Sequence, residues 1–117
     1  MLPSLAWAHG EDKLGPHGGY VRMPGAFHTE VKISGHEVQV YLLDMEWKNP
    51  TVENSTVRVS YQGDAKISKL KCNALKNEFS CELPKSFNSK RGKLRVTAVR
   101  NGAKGGVAEY NIPLKLQ

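Results

Sequence analysis

Along most of this chain, β-branched and aromatic residues alternate with polar ones in short runs separated by turn-forming residues. No stretch of a dozen residues carries a clean helical period. The alternation predicts strands at 20–23, 27–33, 37–45, 56–62, 65–72, 78–83, 93–100 and 107–116, with turns at 34–35, 48–50, 63–64, 89–92 and 101–106. Seven or eight short strands in about 100 residues predict one all-β domain, an antiparallel β-sandwich of immunoglobulin-like or cupredoxin-like form. A chain of 117 residues has room for one hydrophobic core.

The most informative hairpin is "AFHTEVKISGHEVQVYLLDMEW". With Ser34-Gly35 as its two-residue turn, Ile33 faces His36, Val31 faces Val38, Thr29 faces Val40 and Phe27 faces Leu42. Those residues form the core side. On the other side Lys32 meets Glu37, Glu30 meets Gln39 and His28 meets Tyr41, and period two continues that face through Leu43, Met45 and Trp47. So apolar a continuation leaves two readings: either the strand crosses between sheets near Leu43, turning its outer residues inward, or the protein displays a semi-apolar surface containing a histidine and a thioether.

The only two cysteines lie in "KLKCNALKNEFSCEL". A hairpin turning at Lys76-Asn77 sets Cys72 directly opposite Cys81, in a non-hydrogen-bonded pair where Cα atoms lie about 4.5 Å apart, within reach of a disulfide. A paired-thiolate metal site is the rival reading, but the spacing is not the tight C-x2-C of zinc sites. A disulfide implies an oxidising compartment such as the periplasm. The first eight residues agree, since they end in Ala6-Trp7-Ala8, the small-x-small form cut by signal peptidase. Residues 1–8 are therefore expected to be a signal-peptide remnant, 9–19 a flexible lead-in rich in glycine and histidine, and 20–117 the sandwich. No apolar run approaches the roughly 18 residues that cross a bilayer, so the chain is not expected to span a membrane.

Charge divides the chain. Residues 1–54 carry four Lys/Arg against seven Asp/Glu, and residues 55–117 carry thirteen against four. The basic half lacks the interleaved aromatics of single-strand binders, which argues against nucleic acid and for a solvated basic face able to dock an acidic partner. No G-x-S-x-G elbow or phosphate-binding glycine loop is present, so no enzyme is expected.

All four histidines fall in the acidic half. Imidazole is the commonest protein ligand for copper, zinc and nickel, and a nearby thioether favours Cu(I). The candidate ligands are His9, His17, His28 and His36 for nitrogen, Met23 for sulfur and Glu30 for oxygen. Copper is the expected ion and zinc the alternative. Cleavage after Ala8 would leave His9 with a free amine able to chelate copper together with its ring.

The segment from His9 to Val52 resembles a group of small bacterial exported domains. The likeness rests on Pro16-His17-Gly18-Gly19, His28-Thr29-Glu30, the apolar strand 40–43 ending at Asp44, and Lys48-Asn49-Pro50. Such domains look like immunoglobulin-type sandwiches, found alone or attached to periplasmic adaptor components of heavy-metal efflux systems. The resemblance implies a role in handling copper or a related metal, and it marks His17, His28 and Glu30. The expectation is a periplasmic copper-binding protein that sequesters the ion or delivers it to an efflux or resistance component. The alternative is an exported interaction module that binds a protein or acidic polymer through its basic half.

Overall fold

Period-two burial organises the molecule. In a computed structural model that describes residues 13–116, nine strands form two antiparallel sheets. They are β1 (Tyr20–Arg22), β2 (His28–Ser34), β3 (Glu37–Leu43), β4 (Thr56–Gln62), β5 (Ile67–Lys69), β6 (Lys71–Ala74), β7 (Phe79–Glu82), β8 (Lys93–Arg100) and β9 (Ala103–Asn111). The first sheet has the order β1-β2-β3-β7-β6 and the second β5-β4-β8-β9. Facing residues fill the space between them, with Phe27, Val31, Val38, Val40, Leu42 and Phe79 meeting Val59, Tyr61, Leu94, Val96, Ala108 and Tyr110. The antiparallel sandwich is as the alternation predicts. Among the described residues no helix is long and apolar enough to cross a membrane.

Three local readings change. The β2–β3 turn is Gly35-His36, with Ser34 opposite Glu37, so every cross-strand partner moves by two residues: Glu30 faces Tyr41 and His28 faces Leu43. Gly35 has a φ of 61° and occupies the first central position, where a type II′ turn requires a positive φ. A slip of two preserves which side each residue faces, so Phe27, Val31, Val38 and Leu42 point into the core as expected. His36 does not; it sits exposed at the hairpin tip.

The second change is that 65–72 is two strands rather than one. The Leu70 N–H donates to the Val59 carbonyl at 2.9 Å, after which the chain leaves β4 and Cys72 pairs with Cys81 in the other sheet. The crossing between sheets therefore falls at Leu70 and not near Leu43. Third, β9 starts at Ala103 because Asn101-Gly102, both at positive φ, close a two-residue turn.

Polar ties fix the two sheets to each other. The buried Tyr110 hydroxyl donates to the Thr29 carbonyl at 2.9 Å and lies 2.6 Å from the Thr29 hydroxyl. Arg22, almost fully buried, donates to the carbonyls of Glu109 and Lys115 at 3.2 and 3.3 Å and lies over the Tyr110 ring. It bridges the edge strands β1 and β9, and the Gly106 N–H adds a bond to the Pro24 carbonyl. An edge bonded in this way offers little ladder to another chain.

The Cys72–Cys81 disulfide forms in the predicted register, with a Cα separation of 4.0 Å. Replacing both cysteines by alanine should cost about 2–3 kcal/mol, the loop-closure entropy of a ring this small. Urea unfolding of the double variant against the oxidised parent measures it, and equal midpoints would refute the estimate.

Candidate functional site

The β1–β2–β3 register sets Val21, Glu30 and Tyr41 in one row, with His28 and Leu43 in the next, all on the side facing away from the core. Such a face is ordinarily wet, yet Glu30 is 0% exposed and His28 4%. Two chain segments cover it. One is the lead-in, residues 13–19, and the other is the loop after β3.

The lead-in closes onto Glu30. Oε2 of that carboxylate accepts the backbone N–H groups of His17 and Gly19, each at 2.8 Å, and Oε1 lies 2.7 Å from Nδ1 of His17. A buried carboxylate is tolerated only when it is fully hydrogen-bonded, and these three donors supply that. Glycine is required where the turn touches the sheet. A Cβ on Gly15 would lie 2.6 Å from the Glu30 carboxyl carbon, and one on Gly19 2.7 Å from the Val31 carbonyl oxygen. The Gly15 N–H donates to the Gly19 carbonyl at 2.8 Å, which ties the turn to itself. The described part of the expected flexible lead-in is thus an ordered lid. The His17 ring stacks flat on Tyr41, with centroids 3.8 Å apart and 5° between planes.

The second segment is organised by Asp44. Its Oδ1 accepts the N–H groups of Glu46 and Lys48 at 3.0 and 2.9 Å, and Oδ2 accepts the Asn49 side-chain amide at 2.8 Å. The turn brings Trp47, at a φ of 65°, back into an edge-to-face contact with His28, and Lys13 lies over the indole ring. Arg100 anchors the loop by donating to the carbonyls of Leu42 and Asn49. The chain after Leu43 folds over its own sheet, so Met45 stays 51% exposed while Trp47 does not.

Each of the two histidines is held by one particular nitrogen. Nδ1 of His28 lies 3.1 Å from the Asp44 carbonyl oxygen, an atom that can only accept, so Nδ1 carries the proton. Nδ1 of His17 likewise donates to the Glu30 carboxylate. In the neutral ring both arrangements leave the lone pair on Nε2. Metal-binding histidines are typically oriented in this way, by a carboxylate or carbonyl behind the ring.

The predicted ligands are therefore only partly gathered. His17, His28 and Glu30 share the covered face. Met23 follows β1 directly and is 44% exposed; extending the β1–β2 register by one residue sets it against His28. His36 stands at the opposite end of the hairpin, roughly 20 Å along β2 from His28. The prediction that it joins the other ligands does not hold, and its carbonyl instead accepts the Leu83 N–H at 2.7 Å. His9 lies outside the described residues. Among the described residues no three His, Cys, Asp or Glu side chains form a metal-holding group. Sequence reasoning gave Tyr41 the wrong partner and overlooked the Asp44 carbonyl, since a backbone acceptor leaves no mark in sequence.

Two groups on this face titrate away from their ordinary values. Burial, followed by the nearby Glu78 and Glu30 carboxylates, pushes the Tyr41 phenol up, so it stays un-ionised beneath the His17 ring. The Lys48 N–H, then the Asn49 amide, hold the Asp44 carboxyl below its ordinary value despite partial opposition from burial. Comparison with family models, curated proteins and solved structures finds no match.

Two outcomes follow from this geometry. Because the folded Asp44 pKa is depressed, its contribution to loop order is complete above the ordinary aspartate value of about 3.9 and disappears as pH falls through the lower folded value. An NMR titration of the Asp44 carboxyl, with Trp47 as reporter, should give a midpoint below that value, and an ordinary midpoint would contradict it. Glu30→Ala strands three donors under the lid and should cost roughly 3 kcal/mol or more in urea unfolding. Glu30→Gln should cost less but turn an amide N–H toward Nδ1 of His17, moving the ring proton to Nε2. Ring 15N shifts read that change.

Proposed function

We propose that this is an exported, non-enzymatic metal-binding protein that carries copper as cargo, for sequestration or for delivery to a resistance or efflux component. The observation that carries the reading is the matched anchoring of His17 and His28 through Nδ1, which leaves Nε2 lone pairs on one face of the sheet. His17 lies over the Glu30–Tyr41 row while His28 rises from the next row, about 7 Å further along the strands, so the two rings occupy adjoining positions on the same face. With the Met23 thioether as third ligand, the set of two nitrogens and one sulfur suits Cu(I) better than zinc, which prefers four tetrahedral ligands. Glu30 acts from behind His17, setting its tautomer and ring orientation, and does not itself bind the ion. The disulfide favours an oxidising compartment such as the periplasm. His9, with or without a free amine, is an additional donor in this reading.

Anaerobic Cu(I) titration followed by histidine NMR tests the proposal. His17 and His28 should shift together at one equivalent, and His36→Ala should change nothing. Met23→Leu and Glu30→Gln should each weaken binding, the latter about 10- to 100-fold. Unmoved His17 and His28 signals at stoichiometric metal, or a response confined to His36, would overturn it.

A further inference from the structure

The second sheet carries a different feature, a gap beside β4. On one side β4 pairs with β8 along its whole length, from Thr56–Val99 to Gln62–Lys93. On the other side β5 covers only Ser60, Tyr61 and Gln62. The Leu70 N–H bonded to the Val59 carbonyl is the last tie before the chain departs for the first sheet. Two residues along, Val57 points its N–H and C=O the same way as Val59, toward an edge with no hydrogen-bonded strand among the described residues.

This open edge borders a cleft of about 450 Å3. Its floor is apolar, from Val57, Leu70 and Cys72, and its rim is cationic, from Arg58, Lys69 and Arg95. Among the described residues no aspartate or glutamate lines it. Arg95 is engaged by Glu109 and Gln62, at 3.0 and 2.9 Å, whereas Arg58 and Lys69 make no hydrogen bond or ion pair among the described residues. The three cations come from three adjacent strands and lie on the outer face, because Val59, Tyr61, Leu94 and Val96 take the inner one.

An occupant must satisfy all three features. An open backbone edge requires a partner with N–H and C=O groups, an apolar floor requires an apolar side chain, and unpaired cations require anions. Phosphate polymers offer no ladder, and among the described residues no aromatic ring lines the cleft for bases to stack on. We propose that the cleft takes an extended segment of another polypeptide, one in which acidic and apolar residues alternate. It adds as a short strand beside Thr56–Arg58, with apolar side chains on Leu70 and Cys72 and carboxylates on Arg58 and Lys69. This is strand addition, in which the backbone supplies affinity and alternate side chains supply specificity.

The experiment uses a fluorescent eight-residue peptide of alternating Asp and Val, titrated into the 15N-labelled protein at low and high salt. Binding should move the amide signals of Val57, Arg58 and Val59, weaken with salt, and fall about tenfold in Arg58→Ala, the loss of one charge-assisted hydrogen bond. Val57→Pro deletes the edge donor without touching the β8 ladder and should abolish binding. Should that variant fail to fold, a peptide N-methylated at alternate residues tests the same ladder on the parent protein and should not bind. Equal binding of the N-methylated peptide, shifts away from β4, or tighter binding of an oligonucleotide of the same charge would overturn the proposal. So would no binding at all, which would leave the cations only the task of keeping copies of the protein apart.

Discussion

A carboxylate with no exposure to water sits on the outward side of a β-sheet, and the arrangement around it follows from its need for donors. Glu30 obtains them from two backbone amides and one imidazole, all in the turn 16–19. Satisfying the charge thus draws the lead-in onto the sheet, and the lead-in in turn shields Val21 and Tyr41. Without that bond set the face would present apolar surface and a stranded anion. With it, the sandwich acquires a local third layer, and one side chain fixes the lid, the orientation of His17 and the position of its proton.

What the sequence made legible, and what it did not, divides along a physical line. Alternation encodes side, so the core faces of β2 and β3 were readable although their exact pairing was not. Partner choice depends on turn geometry. Lys76-Asn77 positioned Cys72 against Cys81 correctly, whereas Gly35 takes the first central place of its turn rather than the second and moves Glu30 from Gln39 to Tyr41. Alternation is silent about which sheet a strand joins, and so the change of sheet at Leu70 inside an unbroken alternating run gave no signal. The turn at Asn101-Gly102 did carry one, but the glycines that follow read as loop although they belong to β9. At the site, His17, His28 and Glu30 could be named from type and proximity. Their anchoring could not, because the atoms behind the rings include a main-chain carbonyl and a carboxylate whose position depends on the register.

The uneven charge of the chain also acquires a structural meaning. The acidic half builds β1–β3 with its lid and loop, and there the carboxylates are spent on structure: Glu30 on the lid and Asp44 on the turn that carries Trp47. The basic half builds the second sheet and adds β7 and β6 to the first, and the outer side of the second sheet collects Arg58, Lys69, Lys93 and Arg95 around Glu109. The outer side of the second sheet is thus the one that attracts anions.

Whether the two sides communicate turns on what joins them. Thr29 lies between His28 and Glu30 on β2 but points inward to Tyr110, and Tyr110 neighbours Glu109, which pairs with Arg95 at the cleft. The contacts are continuous, yet continuity does not transmit a signal. Coupling needs an element with two arrangements of similar energy. Thr29 and Tyr110 are fully buried, and the phenol is fixed at both its donor and its acceptor positions by the same residue, so moving it would strand polar groups in the core. The path is therefore stiff, and occupancy of one surface should leave the other's affinity unchanged. Cargo and partner would bind to this domain independently, and any coupling between them would have to arise in the partner.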